Sequence, residues 1–133
     1  MSKFSRKLFH CWHPIAYSHE VPPDAPYGST LLNEALVVWR TSDGVPHAMQ
    51  DLCIHRGTAL SKGRLKDDCV VCPYHAWHYN AEGVCVKIPQ KVDSTQVPSK
   101  ARVSAYRTLE RYGLIWVALE DPMFSLPELP ELE

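Results

Sequence analysis

Cys53-Ile54-His55-Arg56-Gly57 and Cys72-Pro73-Tyr74-His75-Ala76-Trp77 are the segments that decide how this chain is read. The pattern is Cys-x-His, sixteen intervening residues, then Cys-x-x-His, so each segment supplies one thiolate and one imidazole. That donor set suits zinc or iron. Gly57 and Gly63 in the first region and Pro73 in the second allow a backbone to turn sharply around an inorganic core. Zinc ligands ordinarily come in pairs of one kind, Cys with Cys and His with His. Here each segment is mixed, which weighs against a structural zinc. Cys69-Val70-Val71-Cys72 also reads as Cys-x-x-Cys. Residues three apart on an extended strand face opposite sides, so Cys69 is expected to pack as a small apolar residue, as are Cys11 and Cys85.

Outward from these segments the chain alternates β-rich runs and turns. Residues 12–17 and 35–40 are such runs, and Thr41-Ser42-Asp43-Gly44 turns the second into 45–50. Residues 69–72 and 76–79 follow, and Asn80-Ala81-Glu82-Gly83 leads into 84–87. Residues 103–110 and 114–119 flank Arg111-Tyr112-Gly113 as a last hairpin. No window sustains a 3.6-residue apolar period over three turns. The expectation is an all-β, antiparallel sandwich or barrel, with a smaller subdomain of two ligand-bearing loops at about residues 51–86. Val21-Pro22-Pro23-Asp24-Ala25-Pro26 reads as a connector, because proline cannot donate to a strand ladder.

Composition excludes several function classes. The 133 residues suffice for one domain, and 45% hydrophobic with 22% charged residues argues against disorder. Fourteen basic against fifteen acidic side chains give a net charge of −1, without the basic footprint of nucleic-acid binding. No apolar run approaches a membrane span, and Met1-Ser2-Lys3-Phe4-Ser5-Arg6 leads into no signal-peptide stretch. Five cysteines, an odd number, argue against a disulfide framework. A soluble, cytoplasmic, metal-binding protein is expected.

The ligand pattern resembles the Rieske motif, which holds a 2Fe–2S cluster. The resemblance implies that Cys53 and Cys72 bind the inner iron and His55 and His75 the outer one, with Arg56, Gly57, Tyr74 and Trp77 in support. Four thiolates would make the oxidised cluster a dianion, whereas two thiolates and two neutral imidazoles leave it neutral. An electron is then easier to add, and such centres span roughly −150 to +300 mV against about −400 mV for all-cysteine ferredoxins. Thr58 and Tyr74 occupy the positions where the high-potential respiratory members carry a cysteine pair, and Trp77 replaces their cluster-facing serine. The respiratory class is excluded, and a potential low in the range is expected.

The chain instead resembles the N-terminal Rieske domain of Rieske non-haem iron oxygenases that hydroxylate or demethylate aromatic compounds. Trp12-His13-Pro14-Ile15-Ala16-Tyr17-Ser18, the ligand segments, Gly83 to Pro89 and Arg111-Tyr112-Gly113-Leu114-Ile115-Trp116-Val117 carry the likeness in order. Ala76 stands where the family usually has glycine, and its methyl is expected to crowd the loop only slightly. The family's oxygen-activating site, a carboxylate-x2-His-x4-His spacing, is absent, for no two histidines lie five positions apart. His10, His13, His19, His47 and His78 are accordingly read as ordinary residues, and no catalytic residue is assigned. Residues 1–121 are expected to form the Rieske domain. Residues 122–133, with three prolines and little to pack, form a linker-like tail towards a catalytic domain outside this sequence. The implied function is to take electrons from a reductase or ferredoxin donor and pass them to a mononuclear iron in that domain. The outer histidines are expected to meet a carboxylate of that domain across a subunit boundary, in an oligomer. The alternative is a free-standing Rieske ferredoxin, which generally lacks the Trp12-His13-Pro14 opening and the acidic, proline-bearing tail.

Overall fold

The structure, a computed structural model, describes residues 5–54, 57–89, 97–98, 100–126 and 128–132. Among these are the strands β1 (His13–Tyr17), β2 (Tyr27–Leu31), β3 (Glu34–Arg40), β4 (Pro46–Gln50), β5 (Arg64–Lys66), β6 (Cys69–Val71), β7 (His78–Tyr79), β8 (Cys85–Lys87), β9 (Ala105–Arg111) and β10 (Leu114–Ala118). Short 3-10 turns punctuate them, and the described residues contain no α-helix. The all-β, antiparallel expectation holds. Six strands form one sheet in the order β1-β10-β9-β4-β3-β2, and four form a second in the order β5-β6-β7-β8. The large sheet curls until its edges approach, where the Ser29 hydroxyl of β2 donates to the Ile15 carbonyl of β1 at 3.5 Å. Pro14 sits on the edge strand β1 and Pro46 is the first residue of the interior strand β4, the two kinds of place where a missing N–H is tolerated.

Leu36-Val37-Val38-Trp39 in β3 is a continuous apolar run because both faces of that strand are buried. Leu36 and Val38 join Ala16, Val21, Ala48, Ile115 and Val117 inside the curled sheet. Val37 and Trp39, with Met49 from β4, meet Val70, Tyr79 and Cys85 of the small sheet and the thiols of Cys53 and Cys72. Each large side chain so enclosed contributes about 1.5–3 kcal/mol. This second core therefore seats the small sheet on the barrel.

Strands β2 and β5 escape the sequence reading because their hairpins turn without glycine. Leu32 (φ 51°) and Asn33 (φ 69°) link β2 to β3, and Asp67 (φ 52°) and Asp68 (φ 58°) link β5 to β6. Both are two-residue turns with positive φ at each position, the geometry that matches strand twist. Asn and Asp tolerate it through their short polar side chains, whereas Leu32 does not advertise it.

Arg40 ties the barrel's open end. Its Nε donates to Val21 O at 3.0 Å, Nη1 to Gly44 O at 2.8 Å and Glu110 Oε1 at 2.9 Å, and Nη2 to Ser18 O at 3.0 Å and Glu110 Oε2 at 2.7 Å. All five guanidinium donors are used. The tail packs more than its composition suggests. Glu120 N–H donates to Phe9 O at 2.8 Å and Met123 N–H to His10 O at 2.9 Å, Leu126 is buried, and Leu129 N–H donates to the Tyr112 hydroxyl at 2.6 Å. Phe124 between them stays 72% exposed.

Candidate metal centre

The two ligand segments close in the same way. In the first, Cys53 N–H donates to Thr58 O at 2.7 Å and Gly57 N–H donates back to Cys53 O at 2.7 Å. In the second, Cys72 N–H donates to Trp77 O at 2.9 Å and Ala76 N–H donates back to Cys72 O at 3.0 Å. Each loop thus pairs its cysteine with the residues four and five further on, and the residue four on has positive φ: 72° at Gly57 and 59° at Ala76. The alanine's cost is consequently conformational. A non-glycine residue in the left-handed region loses about 1–2 kcal/mol.

Other contacts clamp the loops together. The Asp51 carboxylate accepts from Ser61 N–H at 2.7 Å and from the Ser61 hydroxyl at 2.6 Å, closing the base of the first loop. Gly63 lies so near β6 that a Cβ there would fall 1.9 Å from Val71 O. Only glycine permits this approach of the first loop to the strand that leads into Cys72.

The result is a pair of adjacent buried thiols. Cys53 and Cys72 are each 1% exposed, and no disulfide joins them. Burial pushes the Cys72 thiol above its ordinary pKa, the N–H groups of Tyr74 and His75 draw it back down, and Cys53 beside it raises it. The Tyr79 hydroxyl stands 3.3 Å from Cys53 Sγ and accepts the Ile54 N–H at 3.1 Å. With Cys53 a thiolate, as a metal ligand must be, the phenol holds the one proton the pair can share and donates it to the sulfur. Burial, followed by the proximity of Cys53, holds the Tyr79 hydroxyl protonated far above the usual tyrosine range. Tyr79 was not among the expected site residues. Its position four residues past His75 on a strand is the signal that could have found it.

His75 is half-buried at the rim, with its ring 4.2 Å from that of Tyr74 at 54°. Trp77 packs against the second core while its carbonyl closes the loop. Gly57 and Tyr74 are exposed at the loop tips. His55 and Arg56 lie outside the described residues. Cys69 is buried in β6 one residue before the Val70 that faces the second core, and burial raises its thiol pKa. The Cys85 thiol, buried against Tyr79, is pushed up to about 11, first by burial. Cys11 is half-buried and its thiol donates to Lys7 O at 3.4 Å. Cys69 and Cys85 are thus buried like small apolar residues, whereas Cys11 is only half-buried. The spare histidines are engaged as ordinary side chains: His10 Nδ1 lies 2.8 Å from Asp121 O, His13 Nε2 lies 2.8 Å from Leu8 O, and His47 Nε2 lies 3.0 Å from Thr41 Oγ1.

The residues present fit an iron–sulfur cluster. Thiolates buried away from water need compensating donors, and N–H and O–H groups are aimed at both sulfurs. Together the curled sheet, the small loop-bearing sheet and this thiol pair define a metallocluster-binding domain. The chain belongs to the Rieske [2Fe-2S] domain family, whose pattern matches residues 11–107, and it carries one Rieske-type 2Fe–2S cluster. It is 40% identical over 128 residues to methylxanthine N1-demethylase NdmA of Pseudomonas putida, covering 92% of this chain and 36% of that protein. It is 37% identical over 123 residues to the chloroplastic protein TIC 55 of Arabidopsis thaliana, covering 92% of this chain and 23% of that one. The solved structure of NdmB from Pseudomonas putida CBB5 superposes with a TM-score of 0.90 at 30% identity, over 98% of this chain and 41% of that chain. The chain thus spans between about a quarter and two fifths of the length of these relatives. Its described residues contain no helix long and apolar enough to cross a membrane.

Proposed function

We propose that this chain is the electron-receiving domain of a ring-hydroxylating or demethylating oxygenase, taking electrons from a reductase or ferredoxin and passing them to a mononuclear iron in a catalytic domain. The observation that carries this reading is the buried pair Cys53 and Cys72, provided with N–H and O–H donors, beside the half-exposed imidazole of His75. Cys53 and Cys72 would hold the inner iron, and His55 and His75 the outer one. When bound, the cluster supplies a one-electron relay whose potential lies above that of an all-thiolate centre.

The chain's own residues divide the work. Tyr79 and the Tyr74 and His75 N–H groups offset negative charge on the sulfurs. Trp39, Met49 and Val70 exclude water from the thiols, and the Tyr74 ring steadies the His75 imidazole at the surface where electrons enter or leave. The names of the relatives, a methylxanthine demethylase among them, support the oxygenase reading over a free-standing ferredoxin. Residues 1–121 would be the cluster domain and 122–133 the passage towards the catalytic one. Five cysteines, all free in the structure, suit the reducing cytoplasm.

The test is metal analysis followed by single turnover. Purified protein should contain two iron and two acid-labile sulfide per chain. After pre-reduction it should form no product from oxygen and aromatic acids or methylxanthines, and should form product once the matching catalytic domain is supplied. Zinc without labile sulfide, or product from the 133-residue protein alone, would refute the proposal.

A further inference from the structure

One imidazole of the small sheet has no part in the work described above. Arg64, Val71, His78 and Lys87 are cross-strand partners in one row. The next row, Leu65, Val70, Tyr79 and Cys85, faces the second core, so the first row lies on the opposite face. There His78 is only 6% exposed. Apart from tyrosine and the thiols, it is the one ionisable side chain buried among the described residues.

His78 lies close to the cluster-binding residues without being one of them. Its backbone nitrogen is bonded to the Trp77 carbonyl, whose oxygen accepts the Cys72 N–H at 2.9 Å. Its cross-strand partner Val71, with Cα about 5 Å away, is the residue before Cys72. His78 follows His75 by three positions, a span of at most about 11 Å. The groups that surround its ring come from three strands. β5 contributes Arg64 and Lys66, with Asp67 just past its end, and β8 contributes Lys87. β6 contributes Cys69, on the same face as Val71, and burial keeps that thiol protonated. Burial, then Lys87, Arg64 and Lys66, hold the His78 imidazole below its ordinary pKa, and Asp67 opposes them. The ring is therefore neutral at pH 7 and keeps one basic nitrogen.

We propose that His78 is a proton acceptor coupled to the cluster: as the cluster gains an electron, the His78 ring gains a proton from solvent. The inference rests on Cys72 and His75 as ligands and adds a group that answers the cluster's charge. The oxidised cluster is neutral, and one electron from a donor makes it a monoanion. One proton on the basic nitrogen of His78 makes an imidazolium, so the two charges sum to zero and only an N–H bond forms. A unit charge about 10 Å away, in surroundings between water and dry protein, shifts a proton equilibrium about tenfold. By linkage the same factor enters the redox equilibrium, where tenfold is about 59 mV. The reduced form binds the proton more tightly, so the potential rises as pH falls through the reduced-form and then the oxidised-form pKa of His78. That window lies below about pH 7.5, because the oxidised-form value lies under the ordinary value of about 6.5 and reduction raises it by about one unit. Proton loss from a ligand imidazole acts instead on the alkaline side, which keeps the two effects apart.

The test is protein-film voltammetry of the full chain from about pH 4.5 to about pH 9. The wild-type potential should rise by about 59 mV in all on acidification below about pH 7.5. His78→Gln should remove that rise and leave the alkaline behaviour of the ligand imidazoles in place. Arg64→Gln takes away a cation that opposes the imidazolium, and should move the rise to higher pH by about half a unit. A purely structural His78 would set neither the rise nor its position. Proton uptake during photoreduction, followed by a pH dye in weak buffer, is the second readout. It should reach about half a proton per electron at the centre of the window and fall away on either side. Should His78→Gln assemble no cluster, this uptake and the Arg64→Gln displacement decide. A wild-type potential flat below about pH 7.5, a rise that survives in His78→Gln, or one that Arg64→Gln leaves unmoved would overturn the proposal. A wild-type film with no one-electron wave would overturn the cluster assignment as well.

Discussion

Replacing Tyr79 by Phe removes one oxygen and leaves the ring in the second core. Two contacts disappear: the hydroxyl's donation to Cys53 Sγ, 3.3 Å away, and its acceptance of the Ile54 N–H at 3.1 Å. The first matters for the redox state. Reduction adds negative charge to the cluster and its sulfurs, so a donor to Cys53 stabilises the reduced form more than the oxidised form. A buried hydrogen bond of this kind is worth about 1 kcal/mol. For a one-electron couple, where a tenfold change in equilibrium corresponds to 59 mV, that is about 40 mV. Tyr79→Phe should therefore lower the midpoint potential by about 40 mV. Since burial keeps the hydroxyl protonated, the shift should be the same across the neutral and mildly alkaline range. The lost Ile54 contact costs less, because Ile54 is exposed and water can replace the phenol oxygen. Protein-film voltammetry of both proteins at equal pH is the assay. An unchanged potential, or a higher one, would show that the hydroxyl does not act on the Cys53 sulfur.

Further outcomes follow from particular contacts. Ala76→Gly should stabilise the second loop by about 1 kcal/mol by relieving its positive φ, seen as a melting temperature higher by about 3–5 °C. Cys72→Ser should abolish bound iron and labile sulfide, whereas Cys69→Ser, altering a buried thiol outside the second core, should retain both. Arg40→Met should cost about 2 kcal/mol by urea denaturation, since it strips Glu110 and three backbone carbonyls of their donor. The same variant has a pH signature. Arg40 holds the Glu110 carboxyl below its ordinary value, so the pair's contribution is present above the unfolded carboxyl's pKa of about 4.3 and is lost as pH falls through the lower folded one. Arg40→Met should therefore lose less stability than wild type on acidification through that window, and equal acid slopes would refute the assignment.

Much of the cluster site was legible because ligand chemistry is written in residue type and spacing. Mixed Cys and His segments identify the donor set before any folding is considered, and Cys69 could be set aside by strand geometry alone. The tips and supports of the loops were named in advance as well: Gly57, Tyr74, His75 and Trp77 all stand on the two loops. Tyr79 was missed because a tyrosine in a β-rich run is ordinary core material until its hydroxyl is placed against a sulfur from the other loop, 26 positions away. The tail was read as having little to pack because its few apolar side chains find partners far off in sequence. Among the tail's contacts is the Leu129 N–H bound to the Tyr112 hydroxyl.

The sequence by itself determined the elements that local chemistry controls. These are an all-β chain without a helical period, hairpins at Thr41–Gly44 and Tyr112-Gly113, and two mixed ligand segments around Cys53 and Cys72. Tertiary structure decided whatever depends on which surfaces meet. It buries β3 on both faces, so that one strand serves the barrel and the seat of the small sheet. It brings Gly63 against the Val71 carbonyl, and it gives Ala76 a left-handed backbone because the second loop must close as the first does at Gly57. It also aligns Arg64 with Lys87 across four strands. Residue type and spacing act along the chain, whereas burial, strand register and charge juxtaposition arise only when distant segments share a surface.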